Sequence, residues 1–386
     1  MRTLPEMDSR AEIVVDLDAI ADNVATLKQR AGDVAMMTVV KADAYGHGLV
    51  PSARAARTGG AEWLGVAVLV EALALRASGD TGRVLAWLMV PGEDYAPAVA
   101  ADIDLSAYTP AAVAAIAAAA RSVGRTARVQ LKADTGLSRG GATPADWPDL
   151  VEAAAEAEQS GALRVTGIWS HFACADEPGH PSNELQEKAF ERALAVARSA
   201  GLEPEVRHLS NSAGALLRPA AGYDLVRCGI ASYGLSPAPD VVGPEDLGLV
   251  PAMTARGRLA LVKRLPAGSS VSYGHTWTTE RDTTAGLVPV GYGDGVPRHA
   301  SSRAHVLVGG TQRQIAGRVC MDQLVVDLGP ESTAAAGDEA VLFGTGADGA
   351  PTAQDWAEAC GTIAYEIVTR IGGRFTRRYV SSRGIA

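Results

Sequence analysis

A single lysine at the end of an apolar run is the first residue in this sequence suited to covalent chemistry. Lys41 follows two valines in the stretch "VVKADAYGHG" (39–48), and an acid, a tyrosine, a histidine and two glycines come soon after it. A primary amine in a poorly hydrated pocket has a lowered pKa and can attack a carbonyl group to form a Schiff base. A lysine that simply ends a strand in solvent is commoner, so this stretch alone leaves both interpretations open.

Other polar residues suited to chemistry also stand at the ends of short apolar runs or on the loops that follow them. They are Tyr45, Lys132, Asp134, Arg139, His171, His208, Asn211, Ser212 and Arg227. Each of them alone has an ordinary structural explanation, since a single buried histidine is more often a hydrogen-bonded structural residue than a catalyst. Residues without a common role should be spread over both ends of the runs. Their shared position therefore favours one common site.

Eight short apolar runs between residues 35 and 235 are the elements that would position these side chains. The runs are often β-branched and are apolar at both odd and even positions, which is typical of strands buried on two faces. They cover residues 36–40, 63–69, 84–90, 103–108, 127–133, 164–170, 205–210 and 223–229. Helical stretches lie between them. The clearest is 109–124, where Thr109 can cap the helix, Pro110 suits its first turn and Gly124 can end it.

This alternation of strand and helix predicts an N-terminal (β/α)8 TIM barrel, an α/β fold. A doubly wound sheet is the weaker alternative, because the eight strand–helix repeats between residues 35 and 235 contain no G-x-G-x-x-G motif. In a TIM barrel the catalytic residues lie on the loops that follow the strands. The predicted fold thus gathers the polar residues at one face of the barrel.

A second, mostly β domain is predicted after the Pro- and Gly-rich stretch 236–248. From Val250 onward, short β-type runs are broken by Gly, Asp and Pro, and only 352–361 is typical of a helix, with Thr352 as its cap. We therefore expect a barrel domain at 12–245 and a C-terminal β domain at 246–386. The strand near residues 10–17 could pair with either domain.

Composition and spacing exclude several classes of function. The chain has 386 residues, a formal net charge of −9 and no basic block, which argues against a nucleic-acid partner. It has no apolar run long enough to span a membrane and begins without the pattern of a secretory signal. The four cysteines are far apart, and the histidines show no metal-ligand spacing. We expect a cytoplasmic protein without a metal.

The loops after the seventh and eighth runs predict a phosphate site. "SNSAG" (210–214) and "CGIASYG" (228–234) offer small residues and free backbone N–H groups at the place where TIM barrels commonly bind phosphate. A phosphate there, a lysine across the barrel mouth and no metal together describe pyridoxal 5′-phosphate (PLP) held as a Schiff base.

The sequence resembles the alanine racemases over nearly its whole length. The resemblance rests on "VVKADAYGHG", "LKADTGLSRGG", "WSHFACAD", "HLSNSAG", "VRCGIASYG", "VSYGHTW", "VGYGDG", "GRVCMDQ" and "GTIAYEI", which stand in the family's order. It implies a homodimer whose active sites are shared across the interface and which interconverts L- and D-alanine, supplying D-alanine for peptidoglycan. One departure is "GYGDG", where the family more often has an alanine before the aspartate, and this should loosen the turn slightly.

The resemblance also implies roles for individual residues. Lys41 would bind PLP and act as the base on the D-alanine face, and Tyr273, from the partner subunit, would act on the L-alanine face. His171 would hydrogen-bond the tyrosine, and Arg227 would face the pyridine nitrogen. The remaining expectations are cofactor binding by Tyr45, Asn211, Ser212, Gly229, Ile230 and Tyr365, substrate binding by Arg139 and by Met321 of the partner subunit, carbamylation of Lys132, and an entryway with Asp176, Tyr292 and Arg298.

Three rival functions remain open at this level. The nearest is another PLP barrel enzyme, such as a decarboxylase or a racemase of serine or larger amino acids; Arg227 argues against decarboxylation, for which a carboxylate would be expected in its place. A PLP-binding protein without turnover would not need a β domain carrying Tyr273. A cofactor-free Schiff-base lyase using Lys41 would leave the phosphate loops without a purpose.

Overall fold

The computed structural model describes residues 6–221 and 223–385, and these residues form two compact units. The first, called the barrel unit, consists of Ile20–Ala44 and Gly48–Leu249. The second, called the β unit, consists of the described chain up to Ala19, the segment Tyr45–His47 and the chain from Val250 onward. Its first strand is β1 (Ala11–Asp16).

The barrel unit is built on eight parallel strands. They are β2 (Ala35–Val39), β3 (Trp63–Val66), β4 (Arg83–Ala86), β5 (Asp104–Ala107), β6 (Ala127–Lys132), β7 (Leu163–Trp169), β8 (Val206–His208) and β9 (Leu225–Cys228). Their spatial order is β8-β7-β6-β5-β4-β3-β2-β9. Hydrogen bonds from Asp224 N to Arg207 O and from Arg227 N to Ser210 O, both 3.0 Å, join the two ends of this order. The predicted (β/α)8 barrel is confirmed, and each of the eight runs overlaps one strand.

Helices connect these strands. They are α1 (Leu17–Ala31), the short turn α2 (Lys41–Tyr45), α3 (Leu49–Thr58), α4 (Leu69–Ala77), α5 (Ala96–Ala100), α6 (Pro110–Val123), α7 (Trp147–Gln159), α8 (Ser182–Ser199) and α9 (Ser212–Leu217). Helix α6 begins and ends as predicted, because the Thr109 side chain accepts a hydrogen bond from Ala112 N and Gly124 ends the helix at φ 65°. None of the helices described between residues 6 and 385 is long and apolar enough to cross a bilayer.

The interior of the barrel is apolar on one side and polar on the other. Met37, Trp63, Leu85 and Leu225 pack together in a buried cluster. Four polar side chains on β5, β6, β8 and β9 are also buried, namely Asp104, Gln130, His208 and Arg227. Buried polar groups are stable only when hydrogen-bonded, so this half of the interior must be a connected network.

The β unit contains three sheets. Its further strands are β10 (Met253–Arg258), β11 (Leu261–Leu265), β12 (Ser270–Val271), β13 (Trp277–Thr278), β14 (Thr283–Val288), β15 (His305–Val308), β16 (Thr311–Gln314), β17 (Leu324–Asp327), β18 (Glu339–Phe343) and β19 (Thr376–Val380). The largest sheet has the order β16-β15-β18-β10-β1-β19, in which β1 runs antiparallel to β10 and parallel to β19. The smaller sheets are β11-β14-β17 and β12-β13. The N-terminal strand thus pairs within the β unit.

Helices of the β unit are α10 (Ala353–Cys360) and α11 (Ala364–Arg370). Thr352 caps α10 as predicted, since its side chain accepts a hydrogen bond from Asp355 N. Single 3-10 turns lie at Tyr273–His275, Tyr292–Asp294, Arg298–Ala300 and Ala347–Gly349, and the barrel unit has two more at Pro219–Ala221 and Ile230–Tyr233.

Replacing Gly46 by alanine is expected to destabilise the β unit by about 3 kcal/mol or more. Gly46 has φ +79°, and a Cβ there would lie 2.3 Å from the carbonyl oxygen of Val368 in α11. Gly268 is a matched control, because its φ is +83° and a Cβ would meet nothing within 4 Å. Gly268→Ala should cost only about 1 kcal/mol. Urea denaturation of both variants measures the difference, and equal losses would show that the contact with Val368 is unimportant.

Candidate active site

A left-handed turn places Lys41 at the end of β2. The four residues after the lysine, Ala42 to Tyr45, all have φ between 53° and 55°. For residues other than glycine this conformation costs about 1–2 kcal/mol each, and such strain is concentrated at functional sites. Hydrogen bonds hold the turn, from Ala44 N to Val40 O at 2.8 Å and from Leu49 N to Asp43 Oδ1 at 2.7 Å.

Glu71 is a residue of this site that the sequence analysis missed. Its Oε1 accepts from Ala42 N at 2.7 Å, and its Oε2 accepts from Ala67 N at 2.9 Å and Val68 N at 3.2 Å. One carboxylate therefore ties the lysine turn to the loop after β3. The available signal was an acidic residue in the first turn of the helix after a strand, which occurs in many helices for other reasons.

The surroundings of Lys41 make its amine more nucleophilic. Loss of hydration lowers the pKa of Lys41, the positive charge of Arg139 lowers it further, and Glu71 opposes the shift. A lower pKa leaves a larger neutral fraction at neutral pH. Lys41 is thus suited to attack a carbonyl group and to exchange protons, and it differs from a lysine that ends a strand in solvent.

Arg227 lies inside the barrel mouth with no carboxylate partner among the described residues. Its Nη2 donates to Ser170 O at 2.7 Å and Leu209 O at 3.1 Å, and the two terminal nitrogens donate to His208 Nδ1 at 2.9 Å and His171 Nδ1 at 3.1 Å. Burial lowers the pKa of Arg227 to about 9, so it remains charged at neutral pH. A buried cation that lacks a counter-ion suits a site for an anionic ligand.

The hydrogen bonds of His171 fix where its proton lies. Arginine only donates, so Nδ1 accepts from Arg227 and the neutral ring carries its proton on Nε2. Loss of hydration and the charges of Arg227 and Arg139 hold the pKa of His171 well below its usual range. The Asn211 Nδ2 lies 3.4 Å from Nε2, but both are donors, because Asn211 Oδ1 accepts from Gly214 N. This contact is therefore not a hydrogen bond, and Nε2–H can serve another acceptor.

Lys132 lies on aromatic rings beside the same cationic groups. Its Nζ is 4.4 Å from the centre of the Trp169 ring and 5.9 Å from that of Tyr108. The amine makes no hydrogen bond or ion pair within the described residues. Burial and the charges of Arg227 and Arg139 lower the pKa of Lys132 to about 8. This amine is easily deprotonated.

The loops after β8 and β9 are hydrogen-bonded to each other. Gly229 N donates to Ser212 Oγ at 2.8 Å, and Asn211 caps α9 by accepting from Gly214 N. Ile230 begins the 3-10 turn that follows. The predicted barrel residues Lys41, Lys132, Arg139, His171, Asn211, Ser212, Arg227, Gly229 and Ile230 all follow or end strands of the barrel unit, while Asp176 lies exposed after β7.

Two predicted tyrosines meet within the β unit. The ring centres of Tyr45 and Tyr365 are 6.2 Å apart, with the planes tilted by 50°. Tyr45 precedes Gly46, which packs against α11, the helix that carries Tyr365. The structure thus brings together the two tyrosines that the resemblance assigns to one phosphate site.

Three other predicted residues of the β unit gather around the segment 318–321. Ser272, which precedes Tyr273, donates from Oγ to Arg318 O at 2.6 Å, and Tyr292 N donates to Cys320 O at 3.0 Å. Tyr273 is 71% exposed and Met321 54% exposed. Arg298 begins the next 3-10 turn. Hydrogen bonds thus hold the turns on which these two exposed side chains lie.

An ion-pair cluster that the sequence analysis missed holds these turns. Asp294, inside "GYGDG", is fully buried and accepts from Arg374 Nε at 2.7 Å and Nη2 at 2.9 Å. Arg374 also pairs with Asp322, beside Met321, at 2.7 Å. Arg374 thus fastens the turn of Tyr292 to the turn of Met321. The aspartate within the glycine motif was the signal that could have indicated it.

The barrel-mouth residues fit PLP better than a metal. Lys41, Lys132, Arg139 and Arg227 form a cationic group, and the described residues contain no cluster of three or more His, Cys, Asp or Glu side chains that could hold a metal ion. A cationic mouth with a nucleophilic amine suits an anionic aldehyde.

Comparison with known proteins gives the family. Residues 15–237 match the family model "Alanine racemase, N-terminal domain", and residues 252–379 match "Alanine racemase, C-terminal domain". An alanine racemase of Frankia casuarinae is 58% identical over 373 residues, or 97% of each chain. The alanine racemase structure from Streptomyces lavendulae is 56% identical with a TM-score of 0.96 over 98% of each chain.

A more distant structure shows the same fold. The alanine racemase of Bacillus anthracis, solved with bound L-Ala-P, is 32% identical with a TM-score of 0.89 and covers 98% of this chain and 97% of its own. Both family domains and the identities over nearly the full length lead to one conclusion. This chain belongs to the alanine racemase family of isomerases.

Proposed function

We propose that this protein interconverts L- and D-alanine with PLP as cofactor. The observation that carries the proposal is the placement of Lys41, an amine with a lowered pKa, in the same cationic mouth as Arg227, a buried arginine without a carboxylate. The Bacillus anthracis relative was solved with L-Ala-P bound, which supports a substrate of the size of alanine.

The chain's own residues would hold the cofactor as follows. Lys41 would bind it covalently, Arg227 would face the pyridine nitrogen, and the phosphate would lie with Tyr45, Asn211, Ser212, Gly229, Ile230 and Tyr365. PLP supplies an electron-withdrawing ring that acidifies the α-proton of a bound amino acid. Because Arg227 stays charged, it disfavours a proton on the pyridine nitrogen, which limits that withdrawal and favours rapid reprotonation.

Two bases would move the α-proton. Lys41 Nζ would serve the D-alanine face and the Tyr273 oxygen the L-alanine face. The usual pKa of tyrosine is about 10, so its deprotonated form needs a donor nearby. His171 Nε2–H is suited to that task, since its other nitrogen already accepts from Arg227. Arg139 and Met321 would bind the substrate carboxylate, next to an entryway with Asp176, Tyr292 and Arg298.

We further propose a homodimer in which each subunit supplies Tyr273 and Met321 to its partner's site. Both side chains are more than half exposed in the single chain, yet hydrogen bonds fix the turns that carry them. A base that must work away from water is unsuited to an exposed surface. A second copy of the chain would cover it. The product D-alanine would supply peptidoglycan synthesis in the cytoplasm.

Lys132 is expected to form a carbamate with CO2. The neutral amine is the form that reacts, and a pKa of about 8 makes it abundant as the pH rises from 6 to 8. The resulting anion would lie beside Arg139, because Lys132 Nζ is next to the backbone of Gly140. A 13C NMR signal from 13C-labelled bicarbonate should grow over this pH range and disappear on acidification. The signal should be absent in Lys132→Arg; its persistence in that variant would place it on another amine.

Exchange of the α-proton tests the proposed function most directly. Purified, PLP-loaded protein is incubated with L-alanine in D2O, and NMR follows both deuterium at the α-carbon and the appearance of D-alanine. We expect both. A visible cofactor absorption band without exchange would reject the catalytic role, and release of CO2 in place of exchange would favour a decarboxylase.

A further inference from the structure

A line of hydrogen bonds runs from Arg227 through the barrel interior to its opposite mouth. Arg227 Nη1 donates to His208 Nδ1 at 2.9 Å, and His208 Nε2 lies 2.7 Å from Gln130 Oε1. Gln130 Nε2 then donates to Asp104 Oδ1 at 3.4 Å. All four side chains are buried. The line connects the candidate active site with a carboxylate at the start of β5.

Each bond in this line has only one possible direction. An amide oxygen only accepts, so His208 must carry its proton on Nε2, and its Nδ1 is then an acceptor for Arg227. Loss of hydration and the charge of Arg227 hold the pKa of His208 well below its usual range, so the ring stays neutral. The ring also stacks on Trp169, with centres 5.7 Å apart and planes within 2°. His208 therefore has a fixed tautomer and a fixed plane.

Asp104 determines which way the Gln130 amide points. A carboxylate accepts and cannot donate, so the amide NH2 faces Asp104 and the amide oxygen faces His208. Asp104 is itself held by Arg83, with Nε at 3.2 Å and Nη2 at 3.0 Å, and by Arg128 Nε at 3.1 Å. These two arginines also pair with Glu205. The fixed end of the line is thus an ion-paired cluster at the N-terminal mouth of the barrel.

A bulge in β7 provides the space and one more anchor for this line. The register of β6 and β7 shifts between Val129 and Gln130, which leaves Thr166 as an extra residue. The Thr166 hydroxyl donates to Asp104 Oδ1. A Cβ on the next residue, Gly167, would lie 2.7 Å from the Gln130 amide carbon. The bulge thus provides a hydrogen bond to Asp104, and the glycine leaves room for the Gln130 amide.

We propose that Gln130 and Asp104 are positioning residues that hold Arg227 in its orientation through the His208 ring. Asp104 orients the Gln130 amide, Gln130 accepts from His208 Nε2–H and so holds the ring in place, and His208 presents Nδ1 to Arg227. The expected effect on catalysis rests on the proposed role of Arg227. The hydrogen bonds themselves do not depend on that role.

Histidine 15N NMR of the full-length, cofactor-free protein tests the proposal without any use of activity. The wild type should show one pyridine-like and one pyrrole-like ring nitrogen for His208, assigned from the spectrum of His208→Gln. Gln130→Met keeps the side-chain volume but leaves Nε2–H without an acceptor. Arginine only donates, so Nδ1 remains the acceptor, but the unpaired Nε2–H no longer holds the ring in place. The bond to Arg227 should therefore weaken, and both ring-nitrogen signals should shift toward those of a ring without hydrogen bonds.

Gln186→Met is the matched control. Gln186 is as buried as Gln130 and also makes several hydrogen bonds, with Thr135, His171 O and Ala173 N, but none with His208. It should lose stability while the His208 signals stay unchanged. Gly167→Ala is a second route to the same effect, because its Cβ would displace the Gln130 amide. An unchanged signal of the pyridine-like Nδ1 in both Gln130→Met and Gly167→Ala would overturn the proposal, since the bond between His208 and Arg227 would then not depend on Gln130.

Kinetics of the PLP-loaded protein give a second readout. Arg227 does not contact the substrate in this proposal, so Gln130→Met should lower kcat about tenfold and leave KM within about twofold. A change in KM alone would contradict a role through Arg227. If the proposed racemase function were wrong, the NMR result would still stand, so the two failures are distinguishable.

Discussion

A mixture of Lys41→Ala and Tyr273→Phe protomers is expected to regain racemase activity that neither variant shows alone. Each single variant should lose about 10³-fold or more, because each lacks one of the two proposed bases. In a dimer with shared sites, one of the two sites of a mixed dimer receives both native residues. Random pairing should therefore restore about a quarter of the native activity.

The expectation follows from the exposure of Tyr273. This side chain is 71% exposed in the single chain, on a turn held by the Ser272 hydroxyl and with Gly274 at φ +72°. An exposed phenol on a hydrogen-bonded turn supports the proposal that a second copy of the chain covers this surface. Activity is measured as D-alanine formed after the two variants are unfolded and refolded together.

Two controls make the mixing experiment decisive. A double variant, Lys41→Ala with Tyr273→Phe, refolded with an equal amount of native protein should leave about a quarter of the native activity, because its mixed dimers contain no complete site. Sites formed within one chain would leave about half. The two single variants refolded separately and then combined should stay inactive as long as the dimers do not exchange subunits. If co-refolding restores nothing although mixed dimers form, Lys41 and Tyr273 act within one chain and the shared-site proposal is wrong.

The barrel and the set of candidate residues were predictable because both depend on local pattern. Strands buried on two faces require apolar runs, and a lysine or arginine at the end of such a run is improbable enough to be noticed, as with Lys41 and Arg227. Helix α6 was predictable to the residue, since Thr109 and Gly124 act on the backbone directly beside them. Features of this kind can be predicted from the sequence because a few neighbouring residues determine them.

The features that fix the site geometry have no local signal. Nothing in "ADAY" predicts four left-handed residues, which persist because bonds from distant groups such as Glu71 hold them. The bulge at Thr166 brings its hydroxyl to Asp104, which is far away in sequence. Such residues are recognised only when the fold has brought them together, since an isolated Glu, Gln or Asp resembles any surface residue.

Arg227→Glu is expected to convert part of the racemase activity into abortive transfer of the amino group to the cofactor. Racemisation should fall about 10²-fold or more, since one charged group is replaced by its opposite in a buried site. A carboxylate there would favour a proton on the pyridine nitrogen, and the ring would then withdraw more electron density from the substrate. The α-proton would then more often be returned to the cofactor than to the α-carbon, and hydrolysis by water would release pyruvate and leave the cofactor in its amino form.

The matched variant for this prediction is Arg227→Lys. It keeps the positive charge but cannot maintain all four bonds to His208, His171, Ser170 O and Leu209 O, so racemisation should fall without a rise in amino transfer. Pyruvate and the amino form of the cofactor, measured per racemisation turnover by chromatography, separate the two effects. A similar rise in both variants would show that loss of geometry causes the side reaction. A rise only in Arg227→Glu would show that the charge facing the pyridine nitrogen selects the reaction, because both variants lose the native arrangement of the guanidinium.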